Sequence, residues 1–239
     1  MEIGIFLIAT DKYIDFVAPL YEDICKFFLP GHVKFVYVFT DSPSVPNGTI
    51  KVKQKHKPWP YPTLYRYHII LNYCATNTIR HDYYYYLDVD MRIVDFVGDE
   101  ILGGTVATIH PGFYNKPKIE FPHSNVFLSH AYTPYHKVMS YYAGAVNGGS
   151  EYLKMASVIK KWVDNDSEYG FVPEWHDESY LNKYLALNPP DIALDPSYCY
   201  PDNAMHAIDW GINKLSPKII CLYKKNKYTE SRDTIQEVR

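Results

Sequence analysis

Cysteine is scarce and scattered in this chain. Four residues of 239, Cys25, Cys74, Cys199 and Cys221, stand far apart with no C-x-x-C pair. That spacing argues against a structural zinc site and a disulfide-dense secreted scaffold, leaving reduced, buried thiols. Long apolar runs are missing too, since no stretch reaches the roughly 18 residues of a membrane span. The opening MEIGIFLIATDKY lacks a basic leader region and reads as a first strand, so a cytoplasmic protein is expected. Neither sign of charge is in large excess. With 24 Lys and Arg against 27 Asp and Glu, the net charge is −3, which argues against a nucleic-acid partner bound on a broad basic face. Two local basic clusters, KVKQKHK (51–57) and KKNK (224–227), read as solvated surface or as anion sites. No internal repeat or long linker divides the chain, so one domain is expected.

What is plentiful is tyrosine, with 24 residues, inside an apolar share of 47 % that is ample for a core. Tyrosine offers an apolar face and a polar tip, which suits contacts to sugars and nucleobases. EIGIFLIAT (2–10) reads as a buried strand, and residues 13–29 place Phe16, Val17, Leu20, Ile24, Phe27 and Phe28 at helical spacing before Pro30-Gly31 ends them. HVKFVYVFTD (32–41) reads as a second strand, 63–79 as a helix and YYYYLDVD (83–90) as a third strand. This alternation predicts an α/β fold with an open, mainly parallel sheet. Further on, EYLKMASVIKKWV (151–163) predicts an amphipathic helix and DNDSEYG a polar loop. HDESYLNKYLALN (176–188) predicts a second helix with an acidic first turn.

Three stretches carry chemistry. In open α/β sheets ligands bind beyond the carboxyl ends of strands, and YYYYLDVD puts Asp88 and Asp90 at such an end. Two carboxylates on one side of an extended segment repel each other, and a hard divalent cation shared with a substrate diphosphate would neutralise them. A turn with two solvated acids is the plainer alternative. In PEWHDESYLNKY (173–184), Trp175, His176, Asp177 and Glu178 bring together a stacking ring, an imidazole and two carboxylates, as a carbohydrate site would. Acids that merely suit a helix start are the alternative. In YYAGAVNGGS (141–150), Gly148-Gly149 reads as a tight turn, whereas Ala143-Gly144-Ala145 reads as the floor of a pocket.

Taken together, YVFTD (37–41), W-x6-R (Trp59, Arg66), DVDM (88–91), HPGFY (110–114), YYAGAVNGG and WHDESYLNKY resemble family 6 of the glycosyltransferases. That family includes the histo-blood-group A and B transferases and the α-1,3-galactosyltransferases. The resemblance is collinear from Ile8 to about Lys227. It implies a single domain of the GT-A type with two lobes: a nucleotide-binding half (about 1–92), an acceptor and donor-sugar half (about 93–223), and a basic tail (224–239). It also implies retaining transfer of GalNAc or Gal from a UDP-sugar to the 3-hydroxyl of a galactose-terminated acceptor, with Mn²⁺ or Mg²⁺ as cofactor. Residue by residue, Ile8, Ala9, Thr10 and Tyr13 fall where the family holds uridine, and Arg66 where an arginine bridges donor and enzyme. Asp88 and Asp90, with Val89 between them, would meet the metal and the diphosphate. Ala143, Gly144 and Ala145 would line the donor sugar, and Asp177 would bind it. Glu178 is the carboxylate near the reacting carbon and the acceptor. His110 and Trp175 would contact the acceptor, and Lys225 the phosphates as the tail closes. One departure stands out: where the family has F-x-Y-E-R-R, this chain has FPHSNVFLSHAYTP (121–134), so the acceptor contacts of that region differ.

Two other readings compete. A haloacid-dehalogenase-like phosphatase also carries D-x-D after an apolar strand, but on its first strand and followed by Thr or Val rather than Met91-Arg92. A metal-dependent lectin would use WHDE and the tyrosines without needing Arg66, Asp88 and Asp90. Glycosyl transfer accounts for more of the motifs than either.

Overall fold

In the first third of the chain, strands that are apolar on both faces alternate with helices that are apolar on one. The computed structural model describes residues 1–222 apart from His123, Asn125 and Pro134. Lys225 and the tail 224–239 therefore lie outside the described residues. In chain order the elements are β1 (Glu2–Ile8), α1 (Val17–Phe27), β2 (Val33–Thr40), β3 (Ile50–Lys53), α2 (Tyr61–Leu64), α3 (Arg66–Asn77), β4 (Tyr83–Leu87) and β5 (Met91–Ile93). There follow β6 (Val106–Ile109), β7 (Tyr142–Gly149), α4 (Tyr152–Glu168), α5 (His176–Leu187), β8 (Ile192–Leu194), β9 (Tyr200–Pro201), α6 (Ala204–Asp209) and β10 (Ile219–Cys221).

Seven strands form one sheet in the order β3-β2-β1-β4-β7-β6-β8, and β5-β10-β9 form a small second sheet. The pairs β3-β2, β2-β1, β1-β4 and β6-β8 are parallel, while β7 runs antiparallel to both neighbours. The fold is thus mixed α/β of the GT-A type, as expected. β1 is central, and its Ile3, Ile5, Phe6 and Leu7 are all fully buried, as a strand covered on both faces requires. The tyrosine run of β4 has the same cause. Side chains of a strand alternate between faces, so Tyr85 and Leu87 fill the core under one face, with Val17, Leu20 and Ile24 of α1. Tyr84 and Tyr86 fill the other, with Tyr67 and Ile70 of α3, Met155 and Ile159 of α4, and Tyr180 of α5.

Two expectations are corrected. Gly148 and Gly149 do not make a tight turn; they are strand residues opposite Tyr85 and Tyr84. A Cβ on Gly148 would stand 2.3 Å from the Tyr85 ring and 2.5 Å from the Tyr84 carbonyl, so only glycine lets β7 lie this close. The polar stretch DNDSE is also not a loop, because α4 runs through it to Glu168. The reason is that Asp166 continues the buried stripe of Tyr152, Met155, Ile159 and Val163 as a polar member, invisible to an apolar pattern.

Candidate active site

The carboxyl ends of β1 and β4 lie side by side, and the antiparallel β7 starts at that same edge of the sheet. Three chain segments expected to hold a donor thus converge by topology alone: residues 8–10, 88–90 and 143–145. Ile8 ends β1, the Ala9 N–H donates to the Phe39 carbonyl (2.9 Å), and the Thr10 hydroxyl pairs with His56 Nδ1 (3.1 Å). A small cleft beside Ile8 and Thr10 is lined further by Gln54, Lys55, Lys57 and Tyr61. Tyr13 follows half-buried in the next turn.

Asp88 and Asp90 lie just beyond β4, in the turn to β5, both half-buried, while the Val89 side chain between them packs into the core. Asp88 joins the rest of the site through its amide, which donates to the Ala145 carbonyl (2.8 Å). Its Oδ1 accepts the Tyr86 hydroxyl (2.7 Å) and lies 3.6 Å from Arg66 Nη2. Arg66 is buried, with its guanidinium 4.3 Å above the Tyr86 ring and its Nε 2.9 Å from Asp177 Oδ2. Burial works against its charge, yet Asp177 above all raises its pKa well beyond the ordinary value.

Gly144 is the meeting point. Its N–H donates to Glu178 Oε2 (2.8 Å), and its carbonyl accepts from Arg66 Nη1 (2.7 Å) and Asn147 Nδ2 (2.9 Å). These groups are open to side chains because β7 bulges here: Ala107 pairs with Asn147 and Thr108 with Ala143, so the intervening residues have no partner on β6. A Cβ on Gly144 would sit 3.2 Å from Asp177 Oδ2. Asn182, one helical turn after Glu178, completes the grip of α5 on the bulge by exchanging bonds with the Tyr142 amide and carbonyl (both 2.8 Å). α5 itself starts at His176, whose φ of +46° is left-handed and turns the chain sharply before the two acids.

The electrostatics follow from this enclosure. Burial pushes the Glu178 carboxyl up to about 7, against the Gly144 N–H, which lowers it, and with Asp177, which raises it. Burial also raises Asp177, to about 6, while Arg66 opposes the shift. Tyr141 stands beside Glu178, and its hydroxyl favours the charged carboxylate. The Tyr141 ring lies 5.9 Å from the ring of His110. Burial holds His110 down at about 4, so it is neutral near pH 7. Its Nδ1 accepts from the Gly112 amide (3.1 Å), which leaves the proton on Nε2 as a donor.

Arg66, Asp88, Gly144, Ala145, Asp177 and Glu178 are therefore joined in one network. Ala143 beside them is packed in the core, and Ala145 is half-open. Trp175 stands exposed at the start of α5, and Trp59 lies 4.5 Å from His176 ring to ring. Sequence reasoning missed His56, Tyr86, Asn147 and Asn182. Asn182 had a signal, being four residues from Glu178 on one helix face; a lone Asn inside an apolar strand was the signal for Asn147.

Among the described residues no three His, Cys, Asp or Glu side chains converge as a metal cluster. Asp88 and Asp90 supply two hard oxygen ligands, which fits Mn²⁺ or Mg²⁺ where substrate phosphates complete the shell. Among those residues no helix is long and apolar enough to cross a membrane.

The sheet order and the strand-end site together define the class as GT-A type. The Glycosyltransferase family 6 model matches residues 1–226, and the chain belongs to that family. It is 34 % identical over 211 residues to histo-blood group ABO system transferase 2 of Rattus norvegicus, covering 83 % of this chain and 63 % of that protein. It is 31 % identical to globoside alpha-1,3-N-acetylgalactosaminyltransferase 1 of Homo sapiens, covering 84 % and 62 %. With O-antigen biosynthesis glycosyltransferase WbnI of Escherichia coli the identity is 29 %, covering 84 % and 89 %. The chain thus spans about three fifths of the length of the two mammalian relatives.

Proposed function

We propose that this chain transfers GalNAc, or more slowly Gal, from a UDP-sugar to the 3-hydroxyl of a galactoside, forming an α-1,3 linkage with retention of configuration. The observation that carries the reading is the enclosed Glu178 carboxylate, bonded to the Gly144 N–H beside the Arg66–Asp177 ion pair. A carboxylate in such a position faces the developing positive charge at the sugar's C1. The bond from C1 to the β-phosphate oxygen breaks with its electron pair leaving on UDP, and the acceptor oxygen bonds to C1. The hydroxyl proton ends on a diphosphate oxygen. Retention follows if Glu178 first forms a covalent intermediate, or if it stabilises an ion pair while the acceptor attacks from the leaving-group face.

Asp88 and Asp90 would hold Mn²⁺ or Mg²⁺, which supplies positive charge to the departing diphosphate when bound. Arg66 and Lys225 would add to that charge. Ile8, Ala9, Thr10 and Tyr13 would receive the uridine, and His110 and Trp175 the acceptor. The lean toward GalNAc rests on the small side chain of Ala143, which leaves room for an acetamido group, while Ala145 takes a little of it back with one methyl. The name of the human relative agrees with it.

The test is turnover of UDP-GalNAc and UDP-Gal over a panel of galactosides, with Mn²⁺ and after exhaustive EDTA treatment. Transfer that stops in EDTA and returns with Mn²⁺ is expected. Full activity in EDTA removes the metal from the proposal, faster turnover of UDP-Gal reverses the donor order, and no transfer from either donor overturns the whole.

A further inference from the structure

Asn147 touches the site only through the Gly144 carbonyl, and it is an odd residue for its place. It lies in the middle of β7, fully buried, directly opposite Tyr86 of β4. Opposed residues of an antiparallel pair point to the same face, so its side chain shares the side on which Tyr86 supports Arg66 and Asp88. Of its amide, the Nδ2 donates to the Gly144 carbonyl (2.9 Å), while the buried Oδ1 has no hydrogen-bond partner among the described residues. A flipped amide would set oxygen against oxygen, so the bond to Gly144 fixes its orientation. A half-satisfied amide in a core costs stability relative to an apolar residue.

The bond spans the bulge, from the residue that resumes pairing with β6 back to the glycine three before it. Gly144 separates two peptide units. The unit before it carries the N–H on Glu178; the unit after it carries the carbonyl on Arg66. Glycine is the residue least able to hold two such planes at a set angle, and β6 offers this stretch no ladder bonds. A second donor on the same carbonyl removes that freedom.

We propose that Asn147 is a positioning residue of the transfer reaction: by holding the Gly144 carbonyl it sets the two peptide planes that orient Glu178 and Arg66. The inference rests on the transferase reading of this site. Glu178 is faced by Asp177 from its own helix, Arg66 and Tyr67 from α3 and Tyr141 from the approach to β7, while Asp88 at the end of β4 acts on the neighbouring Asp177. Of the neighbours that hold its charge, the Gly144 N–H contributes most, so a slack Gly144 makes Glu178 harder to ionise.

Asn147→Ala and Asn147→Ser, the second keeping a small polar group that cannot span the bulge, should lower kcat about 10- to 100-fold. The donor KM should move less than about threefold, because Arg66 keeps its bonds to Asp177. The acid limb of the kcat profile should shift upward by about half a pH unit or more. A ¹³C-carboxyl NMR titration of Glu178, assigned by its loss in Glu178→Gln, should shift the same way. That readout needs no turnover, so it tests the brace even if no UDP-sugar is a donor. In the wild type the Asn147 side-chain amide resonances should follow the Glu178 titration, a check that needs no Asn147 variant. Overturning results are a folded variant with kcat within twofold and an unmoved titration, a loss of kcat that only tracks the folded fraction, or wild-type Asn147 resonances blind to Glu178.

Discussion

Asp166 on α4 and Asp177 on α5 are both buried, at 1 % and 3 % exposure. Their surroundings push them in opposite directions. Asp166 accepts from the Ser129 hydroxyl (2.6 Å), the His130 amide (2.8 Å) and the Tyr180 hydroxyl (2.8 Å), and pairs with His130 Nδ1 (2.7 Å). Burial alone would raise its pKa, but these bonds override it and hold it below the ordinary value. Asp177 has Arg66 on one side, with Glu178 and Asp88 close by, and burial wins: it is raised, as is Glu178. A carboxylate whose lone pairs are filled by its own fold is finished as a structural element. One left high in pKa, next to a second acid and a single cation, is poised to respond to something that binds. The first ties a loop to two helices; the second marks the site.

The largest expected effect comes from Glu178, the second acid beside Asp177. Glu178→Gln keeps the shape and the acceptor for the Gly144 N–H while removing the charge, so kcat should fall about 10²-fold or more. UDP affinity, read by calorimetry, should stay within a few-fold. A kcat near wild type would reduce Glu178 to a helix-start acid.

Next comes the structural member. Asp166→Asn leaves donors facing a donor in a buried network, which should cost about 2–4 kcal/mol in a urea unfolding experiment. Activity per folded molecule should change only a few-fold. If Asp166→Asn lost activity as Glu178→Gln does, the distinction between the two acids would fail.

Much of this contrast was legible in the sequence, and the rest was not for physical reasons. Strand and helix order up to β4 follows from apolar periodicity, because that half of the sheet is parallel and buried; the exception is the edge strand β3, whose Lys-rich sequence with only Val52 buried reads as surface. The acids at 88, 90, 177 and 178 announce themselves through the residues next to them. Asp166 gave no such signal, since a polar residue on an apolar stripe reads as a helix end until its partners at 129, 130 and 180 are known. Asn147 stood out as a lone Asn in an apolar strand, but its role was hidden: its partner is a backbone carbonyl exposed by a bulge, and bulges leave no period in a sequence.

The smallest expected effect sharpens the comparison through pH. Glu178 ionises in the fold at about 7, above the ordinary 4.5. Between those values the folded chain keeps a proton that the unfolded chain releases. This residue's contribution therefore makes folding less favourable as pH rises from about 4.5 through about 7, and it is level above that. Asp177 acts in the same sense between 3.8 and about 6. Asp166, being lowered, does the reverse, adding stability above its ordinary range that is lost as the solution is acidified. The shift at Glu178 sets an upper bound of about 3 kcal/mol on what its charge costs at pH 8. A Gln at 178 must still bury its amide, but that cost is the same at every pH and cancels from the change between pH 4 and pH 8. Relative to wild type, Glu178→Gln should therefore gain up to about 3 kcal/mol of stability between pH 4 and pH 8, when stabilities from urea unfolding are compared at the two pH values. A difference between variant and wild type that does not change with pH would mean that the carboxylate is not held against its charge, and Asp166 would no longer differ in kind from the Asp177–Glu178 pair.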